Sequence, residues 1–236
     1  AAAVWGACSN AGQVCVGVER VFIESAVYDA FVALLRPRVH ALRQRLDGRQ
    51  ADVGRLVFPP LLERVQAQLE DARQKGARVI GGEVVDKDRL LMAPALVLDA
   101  RMDMRIMTEE TFGPVIPVMK VARAEDAVLL ANSGPDGLAA SVWTMDLAKG
   151  ERLAAALEAG MVGVNEPASH YAFASLPFGG MKQSGLGRRH GEEGLLAFTQ
   201  AQSVIVHEWP HGVCDPWWFP YEEKKAGLLR RLLGLP

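Results

Sequence analysis

Cys15 lies in the run SNAGQVCVGVER, residues 9–20, behind Asn10, Gly12 and Gln13 and ahead of Gly17. A thiol becomes a nucleophile when nearby donors, positive charge or a helix N-terminus favour its thiolate. Glycines beside it let the backbone approach a substrate and offer N–H groups to a developing oxyanion. Free cysteines are also among the most buried and inert side chains, so the segment by itself leaves both readings open. Cys8, among Ala and Trp, reads as core, and Cys214 has no activating neighbour. The histidines, His40, His170, His190, His207 and His211, have no distinctive context. Their spacing neither requires nor excludes a cysteine–histidine hydrolase.

Two further stretches carry polar or conformationally special residues. EETFGPV, residues 109–115, sets two carboxylates before an aromatic, a glycine and a proline. A carboxylate suits ribose hydroxyls and an aromatic face suits a packed ring. Taken alone, the segment reads more simply as a solvated turn feeding a strand. LPFGGMKQSGLGRRHGEEG, residues 176–194, is a glycine-rich loop. It lacks the GK[ST] of a P-loop and does not match a GxGxxG fingerprint.

The elements that must position these stretches follow from periodicity. Residues 18–24 (VERVFIE) read as a strand, and Ser25 as the N-cap of a helix over 26–46 that Pro37 kinks or splits. Residues 47–59 are loop-like. Pro60 to Lys75 is an amphipathic helix stopped by Gly76. Residues 77–82 and 92–99 read as strands, 105–121 as a polar turn running into a strand, and 124–134 as helix and stop. A strand over 138–146, a helix over 149–160 closed by Gly160 and a strand over 161–165 follow. This alternation predicts an α/β fold with a largely parallel sheet flanked by helices. Residues 1–202 form the expected main domain. Residues 203–236 read as an extension, with a short strand SVIVHE, a Pro- and Trp-rich stretch and a short amphipathic helix at the end.

Composition bounds the class. Of the 236 residues, 50% are hydrophobic and 23% charged, which suits a globular domain with a real core. A formal net charge of −2 gives no field favouring nucleic acid. Three cysteines argue against a disulfide framework and for a reducing, cytoplasmic setting. No CxxC pair or His/Cys ligand spacing supports a metal site. In the tail, Leu228, Leu229, Leu232 and Leu233 stand beside Lys224, Lys225, Arg230 and Arg231. That stripe fits a membrane surface or a neighbouring subunit, and Glu222 and Glu223 count against the membrane.

Together the three stretches resemble the aldehyde dehydrogenase superfamily over about residues 1–206, in the order N-A-G-Q-x-C, E-E-T-F-G-P-V and P-F-G-G-x-K-x-S-G-x-G. The resemblance implies that Cys15 is the catalytic thiol and that its N–H is one oxyanion donor. It implies that Glu110 binds the nicotinamide ribose and that Phe112 packs beside the nicotinamide of NAD or NADP. Asn10, Gly12 and Gln13 match the residues that shape the thiol's turn. Asn165, Phe178, Gly179 and Gly180 match positions of mainly structural role, and SVIVHE matches a strand that joins subunits. Arg189 departs from the family, which usually has Glu there. In the family, the cofactor domain, the general-base glutamate, the oxyanion-hole asparagine and a ribose-binding lysine precede the thiol segment. These 236 residues therefore resemble the C-terminal, thiol-bearing portion. The implied partners are a small-molecule aldehyde and either a homo-oligomer or a complementing N-terminal half. A coenzyme-A-acylating member and an inactive assembly partner remain alternatives.

Overall fold

A computed structural model describes residues 1–44, 50–167, 169–208, 218–220 and 222–235. In chain order the elements are α1 (Ala2–Cys8), β1 (Val21–Glu24), α2 (Ser25–His40), α3 (Pro59–Gln74), β2 (Arg78–Gly81), β3 (Val84–Asp86), β4 (Leu91–Met92), β5 (Ala95–Leu98) and α4 (Arg105–Thr108). There follow β6 (Val115–Val121), α5 (Ala124–Asn132), β7 (Asp136–Gly137), β8 (Ala139–Val142), α6 (Leu147–Ala155), β9 (Met161–Val164), β10 (Met181–Lys182), α7 (Gly191–Leu196) and α8 (Glu223–Leu232). The chain divides into two compact units, Ala1–Thr199 and Gln200–Pro236.

The first unit is an α/β fold whose main sheet has the order β1-β6-β5-β2. Strands β1, β6 and β5 run parallel, and β2 pairs antiparallel with β5 at the far edge. A second, two-stranded parallel sheet pairs β8 with β9. All four residues of β5 are buried, as a central strand covered on both faces requires. Helix α3 closes one face with Leu61, Leu62, Val65, Gln68, Leu69 and Ala72. These recur at helical spacing, and each fully buried Leu or Val contributes about 1.5–3 kcal/mol. Glycine ends α3 in the expected way. Gly76 takes φ +89° and donates to the Arg73 carbonyl, while Ala77 donates to that of Ala72. These two bonds satisfy carbonyls that the helix leaves open.

Several local expectations are corrected. The strand expected from residue 18 begins at Val21. Ser25 is the first helical residue and not the cap; its hydroxyl donates instead to the Val121 carbonyl at 2.8 Å, tying α2 to the end of β6. The residue before it, Glu24, accepts from the Ala124 N–H at the start of α5. Pro37 does not split α2, which ends at His40, and residues 45 and 46 of the expected helix lie outside the described residues. The expected strand over 92–99 is interrupted by Ala93 and Pro94, because proline has no N–H to give a ladder. Helix α6 begins earlier than expected, at Leu147, where Asp146 accepts from the Lys149 N–H at 2.9 Å. A cap of this kind contributes about 1 kcal/mol.

Gly160 does not close α6, which ends at Ala155. It is needed for contact instead: a Cβ there would lie 1.8 Å from the Gly179 carbonyl oxygen.

In the second unit, residues 203–208 form no strand. They join no sheet among the described residues, and Ile205 is 95% exposed. Helix α8 has no buried residue, and Lys225 donates to the carbonyls of Trp218 and Pro220. Cys214 and His211 lie outside the described residues. Among the described residues, no helix is long and apolar enough to cross a membrane.

Candidate active site

The thiol turn is built by consecutive residues in the left-handed region. Helix α1 stops at Cys8, and Asn10, Ala11 and Gly12 take φ of 50°, 57° and 76°. Asparagine tolerates this conformation and glycine adopts it freely, which is why the segment needs them. The turn is closed by its own side chains. Asn10 Nδ2 donates to the Gln13 carbonyl at 3.1 Å, and Gln13 Nε2 donates back to the Asn10 carbonyl at 2.9 Å. Gln13 also anchors the turn outward, donating to the Arg55 carbonyl and accepting from the Val57 N–H at 2.9 Å. A second turn follows, with Gly17 donating to the Val14 carbonyl at 2.8 Å, and Cys15 stands inside it. The Cys15 thiol is exposed and free.

Cys8 is its opposite. It is buried, and burial pushes its thiol up to about 12. Such a thiol stays protonated and unreactive at neutral pH.

The segment of residues 109–115 packs directly against the thiol turn. A Cβ on Gly12 would lie 2.0 Å from the Gly113 carbonyl oxygen and 2.8 Å from the Pro114 nitrogen. The glycine thus serves backbone-to-backbone contact between the two turns, a role different from the substrate approach expected for it. Phe112 sits half-buried at φ 53°, and Glu110 is exposed. From α3, Gln68, fully buried, donates from Nε2 to the Glu110 carbonyl at 3.3 Å.

Glu19 is the residue that the sequence analysis missed. Its two carboxylate oxygens accept from the N–H groups of Thr111 and Phe112, each at 3.0 Å. Burial raises its carboxyl above the usual range and the charge of Glu110 adds to this, while the two N–H donors pull the other way. A visible signal exists: Glu19 lies in the β-prone run VERVFIE, where a charged side chain facing inward needs partners.

Cys15, Glu19, Glu109 and Glu110 line one cleft of about 880 Å³. Its walls include β1, an edge strand of the main sheet, and β8 of the second sheet. Trp143 and Lys149 also reach it. None of the described histidines lines this cleft, so the cysteine–histidine pair finds no support there.

The remaining site residues of the sequence analysis lie around this centre. Asn165, at φ 58°, exchanges two side-chain hydrogen bonds of 2.9 Å with the Thr144 backbone and so joins the ends of β8 and β9. Phe178 packs with Met161 against Val16, the neighbour of Cys15, and pairs its backbone with Arg189. Gly179 lies against Gly160, and a Cβ on Gly180 would meet the Ser184 side chain at 2.4 Å. The glycine-rich loop therefore presses on the residue behind the thiol.

Residues 1–204 match the protein-family description "Aldehyde dehydrogenase family". The chain belongs to the aldehyde dehydrogenase family. Among curated relatives of this aldehyde dehydrogenase chain is a 4,4'-diapolycopene aldehyde oxidase from Methylomonas sp., 40% identical over 94% of the chain and 41% of the relative. Solved structures agree. The succinate-semialdehyde dehydrogenase from Burkholderia pseudomallei superposes with a TM-score of 0.77 at 36% identity, covering 82% of this chain and 40% of that one. The Mycobacterium tuberculosis aldehyde dehydrogenase complexed with NAD+ superposes with a TM-score of 0.80 at 34% identity, over 90% of this chain and 44% of that one. The chain thus spans less than half the length of these relatives.

Proposed function

We propose that this chain supplies the thiol-bearing portion of an NAD(P)-dependent aldehyde dehydrogenase that oxidises an aldehyde to a carboxylate. The observation that carries this reading is the opening of Cys15 and Glu110 onto one cleft from two turns packed backbone to backbone. The cleft fits a nicotinamide dinucleotide in the chemistry of its donors. Glu110 lines it with an exposed carboxylate suited to ribose hydroxyls, while the Phe112 ring, two residues on, packs against the core and is not among the side chains that line the cleft.

In this reading the Cys15 thiolate attacks the aldehyde carbon and forms a thiohemiacetal. The Cys15 backbone N–H donates to the oxyanion that develops. NAD or NADP would supply the hydride acceptor, and Cys15 would then hold the acyl group as a thioester. Glu110 would hold the cofactor by its ribose, and Phe112 would pack beside its nicotinamide. The acyl group then passes from sulfur to water, with a general base supplied by the rest of the protein.

The test is reduced-nicotinamide absorbance after adding NAD+ or NADP+ and a panel of aldehydes to the protein that carries this chain. Aldehyde-dependent reduction is expected. Its absence for every aldehyde and both cofactors would sink the reading. The exposed run Val204–Val206 favours a second reading, a chain that works by assembly through its tail. Concentration-dependent association without any nicotinamide reduction would select it.

A further inference from the structure

We infer that Glu19 is a positioning residue that couples the cofactor-contact turn to the thiol segment. This rests on the dehydrogenase reading for the roles of Cys15 and Glu110, and on the structure alone for the coupling. Three observations carry it. Both carboxylate oxygens of Glu19 are used, one on the Thr111 N–H and one on the Phe112 N–H. Phe112 holds a left-handed backbone that a bulky side chain rarely adopts, and such a conformation persists only when its surroundings over-determine it. Glu19 stands four residues after Cys15, beyond a turn tied to α1 by the bond from Val18 N–H to the Gly6 carbonyl. The two residues that follow Glu110 are therefore gripped by the same segment that carries the thiol.

The geometry makes Glu19 hard to replace. A carboxylate can accept one N–H bond on each of its two oxygens, whereas an amide of the same shape has a single acceptor oxygen and a donor in the other place. In Glu19→Gln the side-chain NH2 would face a backbone N–H, donor against donor. The turn would lose one grip while the shape of the core stayed nearly the same. Gln68 and the Gly12–Gly113 contact would still hold the turn to the core, so the expected effect is local.

Hydrogen–deuterium exchange by mass spectrometry on the chain, with and without Glu19→Gln, tests the coupling. Exchange in the peptide spanning 109–113 is expected to rise at least about tenfold, with β5 and β6 within about twofold. In the nicotinamide assay, the same variant is expected to raise the cofactor KM about tenfold while kcat at saturating cofactor stays within about threefold. Glu19→Asp keeps both acceptor oxygens on a shorter arm and should fall between wild type and Gln in both measurements. It carries the comparison if Glu19→Gln does not fold. Unchanged exchange at 109–113, or an equal rise throughout the sheet, would overturn the coupling. A local rise in exchange with an unchanged cofactor KM would reduce Glu19 to a structural residue and overturn the positioning role. A wild type that reduces no nicotinamide would remove the dehydrogenase reading and the cofactor role with it, while the exchange result would still decide whether Glu19 holds the turn.

Discussion

Replacing Cys15 by alanine is expected to lower aldehyde-dependent nicotinamide reduction at least about 10³-fold, with the melting temperature nearly unchanged. The two halves of this expectation have separate causes. The loss is large because the proposed reaction needs a covalent bond to sulfur. The other side chains named at the cleft are carboxylates, an ammonium and an indole, none of which replaces a thiolate. The stability change is small because the Cys15 side chain is exposed, and exposed substitutions usually stay within about 0.5 kcal/mol. Cys15→Ser is expected to rescue little, since a hydroxyl is a far weaker nucleophile at neutral pH without its own base. Steady-state rates with parallel thermal melts check both halves. Retained turnover in Cys15→Ala would remove the thiol from the mechanism.

Gly12→Ala is expected to do the reverse and strike the fold first. Its Cβ would lie 2.0 Å from the Gly113 carbonyl oxygen and 2.8 Å from the Pro114 nitrogen. Both are backbone atoms, so no flexible side chain can swing away. The residue also sits at φ +76°, where alanine is strained even in open space. Overpacking and left-handed strain together make a cost of about 3 kcal/mol or more. For a unit of this size that lowers the melting temperature by roughly 6–12 °C. Gly76→Ala provides the control, because its Cβ would meet nothing within 4 Å and only the strain at φ +89° remains. A Gly12→Ala melt no lower than that of Gly76→Ala would contradict the close contact between the two turns.

What was legible beforehand divides along physical lines. Strong periodicity and a glycine stop made α3 readable, and the β-prone run of residues 115–121 made β6 readable. Alternation of strands and helices carried the α/β class. Features set by distant contacts were not readable. Ser25 looks like a cap, but its hydroxyl is taken by Val121, 96 residues away. Gly160 looks like a helix stop, yet it is a glycine because Gly179 passes against it. At the candidate site, the motifs marked Cys15, Glu110 and Phe112. The two polar grips on the second turn, Glu19 and Gln68, belong to no motif and appear only once the chain has brought positions 92 and 42 residues apart together. The run at 203–208 shows the opposite limit: its β propensity is plain, but it pairs with no strand among the described residues.

The most direct measurement of the central claim is competitive alkylation with iodoacetamide at pH 7.5, followed by peptide mapping of Cys15, Cys8 and Cys214. Burial pushes the Cys8 thiol up to about 12, so its thiolate is scarce at that pH, and the side chain is covered as well. Cys15 is expected to label at least about 100-fold faster than Cys8, and faster than Cys214. Equal rates at the three cysteines, or labelling that spares Cys15, would contradict an open nucleophile at the head of this chain.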